Sequence, residues 1–357
     1  MNSNAYHRKR FYKRYNRCTG CLTTDVWNAD WFQGFVVKIF SLCRRSIPSA
    51  IFHRMISLAG YKDDPIKALG FMHATNCRNP AHVRMLDFKL IKRAIEFNYL
   101  AWPRKIYAYV HDKDLLDVGC GTGLHAIGYV VAGVNSYTGV DPKMDLSSDR
   151  GKNLRNRQWE RFGWTPSDIM GQLPHVRFIP GTFEDVAPEV TFDIVVLHNV
   201  TEHLHNLEEI FRGIVKRLRR DGKILYNHHN FFSWNGHHKM PKTIMDIDMD
   251  DPMQRKYVDW GHVALAETHT DELSQSLNKI RMDDLRRLTE KYFAIENWEE
   301  IPSKREQGRA RLNDEILHKY PNYQKREFII QNVLCIAGMK EPMASYQRDG
   351  QDRRRNV

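Results

Sequence analysis

A chain of 357 residues, 42% hydrophobic and 27% charged, is long enough to bury a full-size core as one large domain or two modest ones. Its best apolar stretch, Trp31 to Cys43, is interrupted by Gln33 and Lys38, which falls short of the roughly 18 apolar residues a membrane-spanning helix needs. The net charge of +11 lies at the ends, +9 in residues 1–62 and +2 from Lys340 onward, so the neutral middle speaks against a nucleic-acid groove there.

Residues 1–26 are polar, basic and aromatic, without hydrophobic periodicity, and are expected to form a flexible arm. Cys18 and Cys21 make a lone C-x-x-C with no second ligand pair, so no metal is assigned to them. The six cysteines are scattered, which implies a reducing, cytoplasmic setting rather than a disulfide framework. Between Trp27 and Gly60 lie two short amphipathic patterns, with Arg44, Arg45 and Arg54 beside their apolar faces. They either pack onto the rest of the chain or lie in a membrane interface, and any peripheral membrane contact is expected through residues 1–62. Val83, Leu86, Leu90, Ile91 and Ile95 then recur at helical spacing, and residues 27–104 read as a helical region.

Asp114 to Gly123 (DLLDVGCGTG) is the most informative stretch. Leu115, Leu116 and Val118 form a short apolar run suited to a strand buried on both faces, and it ends in glycines at 119, 121 and 123. Glycine removes the Cβ atoms that would keep a ligand off the backbone, and the helical pattern from Leu124 to Val131 points its first N–H groups at the same turn. Gly133 is the expected stop of that helix. The dinucleotide spacing G-x-G-x-x-G would need glycine at 124, where Leu124 stands. The pattern is G-x-G-x-G instead. Ser136 to Val140 reads as the second strand, with Asp141 at its end to take ribose hydroxyls.

With these residues the chain resembles the class I S-adenosylmethionine-dependent methyltransferases, whose first motif is D/E-x-G-x-G-x-G and whose second is an acidic residue closing the second strand. The resemblance covers residues 105–340. It implies an α/β, doubly wound, Rossmann-like sheet of seven strands with an antiparallel last strand, preceded by N-terminal helices that form a lid or flank the cleft. It implies S-adenosyl-L-methionine as cofactor, held by Asp117, Gly119, Cys120, Gly121, Gly123 and Asp141, with His198 at the end of the fourth strand. The turn Thr182, Phe183 and Glu184, after a third strand at Val176–Ile179, would meet the adenine. Family members usually carry an acidic residue where Thr182 stands, so Glu184 or Asp185 would have to substitute.

Further along, a helix is expected near Leu154–Arg161, a fourth strand at Phe192–Leu197, a helix at Asn206–Leu218 and a fifth strand at Ile224–Asn227. Asp221-Gly222 is expected to turn the chain through a left-handed position. Pro241–Asn278 reads as a long irregular insertion, whose DIDMDD run lacks the glycine and terminal Glu of a calcium loop. A helix at Met282–Tyr292 precedes strands at Ala294–Glu300 and Phe328–Ile336, expected to pair antiparallel, and residues 341–357 form a polar tail expected to be disordered.

Methyl transfer to a hydroxyl needs alignment and a base near neutral pH, and histidine is the natural candidate. His198, His203, His228, His229, His237 and His238 all follow strands four and five. His203 is favoured because Glu202 adjoins it and because it is placed in the first helical turn; His228 and His198 follow. Glu202-His203 also resembles the Glu-His pair of ubiquinone-type O-methyltransferases, where neighbouring acidic residues help bind a divalent metal. Asn199 stands where the preceding acidic residue would be, so no metal ligands are assigned. Phe231, Phe232 and Trp234 either wall an acceptor site or belong to the core. The expected activity is O-methylation of a small molecule or glycan. The alternatives are N-methylation, or a basic membrane- or RNA-associated adaptor with the same fold.

Overall fold

The computed structural model describes residues 94, 99–146, 165–267, 273 and 276–340. The basic arm, the amphipathic pair before Gly60, most of the 83–95 pattern, the helix expected at 154–161 and the tail from 341 lie outside the described residues.

Seven strands form one sheet in the order β3-β2-β1-β4-β5-β7-β6. They are β1 Asp114–Val118, β2 Ser136–Asp141, β3 Val176–Pro180, β4 Phe192–His198, β5 Leu218–His229, β6 Phe293–Pro302 and β7 Ile330–Met339. The first five run parallel, and β7 is antiparallel to both of its neighbours. Successive side chains of a strand point to opposite faces, and here both faces are covered. Leu115, Ile194, Val196 and Leu225 enter one core, while Leu116, Val118, Val195, Leu197, Ile224 and Tyr226 enter the other. That double burial is why the central strands read as unbroken apolar runs rather than alternating ones.

The first core is closed by the segment Ala101–Val110 and the helices His125–Ala132 and Pro166–Gln172. Leu100, Trp102 and Ile106 belong to it, so packing runs continuously across residue 105. The second is closed by helices Leu207–Arg217 and Met282–Tyr292. In the former, Leu207, Ile210, Phe211 and Ile214 make the buried stripe, with Glu208 and Glu209 at its start and Lys216 and Arg217 at its end to complement the helix dipole. Gly133 ends its helix with φ 79°, as its spacing predicts. Among the described residues, no helix is long and apolar enough to cross a membrane.

Three expectations change. Gly222 is not left-handed. The β4–β5 register shifts between Phe192↔Leu218 and Ile194↔Lys223, and a Cβ at Gly222 would lie 2.8 Å from the Arg219 carbonyl; close approach, not φ, requires glycine there. Arg219 meanwhile binds Asp114 and Asp193 at 2.7 Å each, tying together the starts of β1, β4 and β5. Phe328 lies in a helical turn, Lys325–Ile329, ahead of β7 rather than within the strand. The insertion is not irregular throughout: its helices Pro252–Tyr257 and Gly261–Glu267 help build a third core, where Tyr257, Trp260 and Val263 meet Phe231, Phe232, Trp234, Tyr320 and Phe328. Phe231, Phe232 and Trp234 are therefore core residues, none more than 4% exposed, and do not wall an acceptor site.

Phe211 has no exposed surface and packs edge-on against Phe293 and tilted against Tyr226. Phe211→Ala is expected to cost about 3 to 5 kcal/mol in urea unfolding; a loss below about 1 kcal/mol would mean this face collapses around the cavity far more easily than its packing implies.

Candidate functional site

In an open α/β sheet the crevice for ligands forms beyond the carboxyl ends of the strands, where the strand order reverses. Here that point lies between β1 and β4. The chain leaves β1 through three glycines with positive φ, 71° at Gly119, 63° at Gly121 and 76° at Gly123. Two of them also allow tight packing beneath the turn: a Cβ at Gly119 would sit 2.2 Å from Val200 Cγ2, and one at Gly123 2.4 Å from the Phe178 ring. Gly121 differs, because a Cβ there would meet nothing within 4 Å. It is the point where the backbone lies open to an approaching ligand.

The turn is clasped to β2. Gly119 and Cys120 N–H donate to the Val140 carbonyl, and Gly121 N–H donates to Asp141 Oδ2 at 2.9 Å. Asp141 Oδ1 accepts the Lys143 N–H at 2.8 Å. A carboxylate offers about four lone-pair sites, so holding the loop does not by itself preclude accepting a pair of vicinal hydroxyls. The open face at Gly121 beside that carboxylate fits a ribose.

Below the turn, Asp117 is 2% exposed and accepts the Tyr137 hydroxyl at 2.9 Å. Desolvation raises its pKa to about 7, with the nearby Asp141 charge adding to the effect. The Cys120 side chain is also buried, so this residue can serve a ligand through its backbone alone. Phe183 is likewise turned into the second core, under the Arg217 guanidinium. Asp185 is engaged within its own turn, accepting from Thr182 N–H at 2.7 Å, which leaves exposed Glu184 as the acidic side chain beside Thr182. That is a physical reason to favour Glu184 over Asp185 as the substitute acid.

His198 ends β4 beneath Trp102, a contact the sequence reading did not identify. The Trp102 ring stacks on it at 4.4 Å and 7°, and His125 meets it edge-on at 4.9 Å. Trp102 is fixed in turn by Nε1–H donating to Tyr129 Oη at 2.9 Å. Burial holds His198 well below the usual histidine range.

The other histidines gather beyond β4 and β5. Thr201–His203 is a short 3-10 turn separate from the helix starting at Leu207, so His203 does not lie in that helix's first turn. Asn278 secures the turn, donating through Nδ2 to the carbonyls of Thr201 and Leu204. His203 is exposed and its Nδ1–H donates to the Ser276 carbonyl at 2.7 Å, which in the neutral ring puts the lone pair on Nε2. His228 is 1% exposed, bonded through Nδ1 to Thr201 Oγ1 at 2.9 Å, and burial depresses its pKa to about 3. These surroundings favour His203 over His228 as a proton acceptor near neutral pH. Glu202 is 1% exposed, its carboxyl raised to about 7 by desolvation, and it faces His229 and His238. Ligand atoms of these three residues lie within 4.8 Å of one another, a grouping the sequence reading, which assigned no metal ligands, did not contain.

A family model described as a methyltransferase domain matches residues 89–292. The chain is 30% identical over 139 residues to a ubiquinone biosynthesis O-methyltransferase of Rickettsia bellii, covering 38% of this chain and 51% of that protein. It is 26% identical over 113 residues to a tRNA U34 carboxymethyltransferase of Alteromonas mediterranea, covering 32% and 31%. The chain thus spans about half the length, or less, of these curated relatives. Among solved structures it is similar to an S-adenosylmethionine-dependent methyltransferase of Mesorhizobium loti, with TM-score 0.38, 16% identity and coverage of 67% of this chain and 97% of that one. It is also similar to the 1,6-didemethyltoxoflavin-N1-methyltransferase of Burkholderia thailandensis, with TM-score 0.39, 12% identity and coverage of 68% and 77%.

The Asp117 carboxyl supplies a pH signature. Its folded pKa of about 7 lies above the ordinary value of about 3.9. The folded state therefore holds a proton that the unfolded state releases, and the stability this contributes is lost as pH rises through that window. Asp117→Asn cannot ionise. The melting temperature of the variant relative to wild type should climb from pH 5 to pH 8 in the absence of ligand; a constant difference would mean that Asp117 is already ionised at pH 5.

Proposed function

The chain belongs to the class I S-adenosylmethionine-dependent methyltransferases, and from that premise we propose that it methylates a hydroxyl oxygen of a small molecule or glycan. S-adenosylmethionine supplies a methyl group on a positively charged sulfur, ready for in-line displacement. What the protein adds is position, exclusion of water and an acceptor for the hydroxyl proton.

The observation that carries the reading is the pairing of an open glycine, Gly121, with the Asp141 carboxylate that holds its N–H. In this reading the Gly119–Gly123 backbone cradles the cofactor, Asp141 takes the ribose hydroxyls, Asp117 supports the turn from below, and Thr182 with Glu184 lies toward the adenine. Residues 105–340 are the catalytic unit. In this reading Trp102, stacked over His198, covers the end of β4. His203 is the favoured base, since it is exposed and its Nδ1–H is held by a carbonyl.

Oxygen as the acceptor atom is supported by the Glu202-His203 pair and by the similarity to a ubiquinone biosynthesis O-methyltransferase. The similarity to a tRNA-modifying enzyme is weighed against the neutral middle of the chain, which offers no surplus of cations for a polyanion. Peripheral membrane contact through residues 1–62 rests on their charge and on the amphipathic patterns between Trp27 and Gly60.

Two measurements test this. Asp141→Ala should raise the dissociation constant for S-adenosylhomocysteine about 10- to 100-fold in calorimetry, as expected for loss of charged hydrogen bonds; unchanged affinity in the folded variant removes Asp141 from the site. His203→Ala should lower kcat/KM about 100-fold or more, with affinity for S-adenosylhomocysteine unchanged. If His203→Ala, His228→Ala and His198→Ala all keep near-normal rates, none of these three is the base, and transfer to an amine or by positioning alone becomes the better account.

A further inference from the structure

The most unusual buried group among the described residues is the Glu202 carboxylate. Its Oε2 receives long contacts from Thr201 Oγ1 and His229 N–H at 3.4 Å each, and its Oε1 is buried with no hydrogen-bond partner. No Lys or Arg among the described residues pairs with it; its charged-group neighbours are His228 at 4.0 Å and His238 at 3.9 Å. A buried carboxylate oxygen without a donor is costly unless something cationic or protic reaches it.

Two imidazoles converge on the same point. His229 Nδ1 and His238 Nε2 face each other within hydrogen-bond distance, the ring planes 15° apart and the centroids 4.5 Å apart. His238 is held there at φ 60°, a left-handed backbone that non-glycine residues seldom adopt. The two nitrogens are bridged either by one proton or by a cation. A cation about 2.1 Å from each, the usual metal–imidazole distance, needs the nitrogens about 3 Å apart at a right angle or about 3.4 Å apart in a tetrahedron, reached by an outward motion of the partly exposed His238.

We propose that Glu202, His229 and His238 form a binding site for one divalent first-row metal ion. Two imidazoles and one carboxylate suit zinc, manganese or iron and disfavour magnesium and calcium, which prefer all-oxygen surroundings. The set differs from the neighbouring acidic residues implied by the resemblance to ubiquinone-type enzymes, where Asn199 interrupts the pattern. Here β5 and the segment after it supply both imidazoles, and Glu202 supplies the carboxylate from the turn after β4. The ion would give Glu202 Oε1 the partner it lacks. The inference concerns metal binding and is independent of which acceptor atom is methylated.

The test is calorimetric titration of untagged, chelator-stripped, full-length protein with ZnCl2, MnCl2 and, for comparison, MgCl2. A Cys18→Ser, Cys21→Ser background keeps the thiolates of the arm from adding a second site. One Zn2+ or Mn2+ per chain should bind in the micromolar range or tighter, with Mg2+ far weaker. Glu202→Gln and His238→Asn should each weaken binding at least 100-fold. Asparagine tolerates the left-handed backbone at 238. Near-ultraviolet circular dichroism reports folding of each variant, and affinity for S-adenosylhomocysteine, a separate readout, should be retained. If Glu202→Gln does not fold, His238→Asn decides. Absence of one-to-one binding of either ion below about 100 µM by the folded protein, or unchanged affinity in a folded variant, overturns the assignment and leaves a proton between the two histidines.

Discussion

The carboxylate of Asp141 ties the glycine turn to the end of β2, and the shape of the cleft depends on that tie. Three alternating positive-φ glycines have wide conformational freedom, so an unrestrained turn would present many surfaces to a ligand. Two backbone bonds to Val140 and one to Asp141 fix a single surface, and they work because β1 and β2 are paired in register up to Val118↔Val140. The apolar burial that keeps β1 in the middle of the sheet thus also positions the turn.

Beyond β4 and β5 the scaffold is different. The insertion between β5 and β6 carries its own aromatic core, and polar anchors join it to the sheet. Asn230 Nδ2 donates to the carbonyls of Glu327 and Ile330, Trp260 Nε1–H donates to Phe232 O, and the Tyr320 hydroxyl donates to Trp260 O. Together these fix the segment after β5 on which His237 and His238 stand. Desolvation depresses His228, His229, His237 and His238 and keeps them neutral near pH 7. Exposed His203 lies at the rim of this group, its ring 5.1 Å from that of His238. Buried neutral rings make poor proton acceptors but good ligands, and that difference separates the role proposed for His203 from the one proposed for His229 and His238.

The parts legible in the sequence were those whose signal is local. Glycine at 119, 121 and 123 with an acid at 141 is a spacing within one βαβ unit, and the strands around it are apolar runs with clear ends. Boundaries were missed where the signal is tertiary: Phe328 has the apolar character of a strand residue, yet it lies in a helical turn packed in the third core. The direction of Phe183 could not be read from its turn, because the Arg217 that covers it comes from a later helix. Trp102 over His198, and Glu202 beside His229 and His238, join residues tens of positions apart through the strand order, and no local pattern encodes such meetings.

The most direct test of methyl transfer at these strand ends is a crystal structure of the protein with S-adenosylhomocysteine. The account predicts the ribose hydroxyls within hydrogen-bond distance of the Asp141 carboxylate, the ligand lying over Gly121, and its sulfur turned toward the end of β4 near His198 and the 201–203 turn. A nucleoside bound elsewhere, or bound at the turn without contact to Asp141, would contradict it.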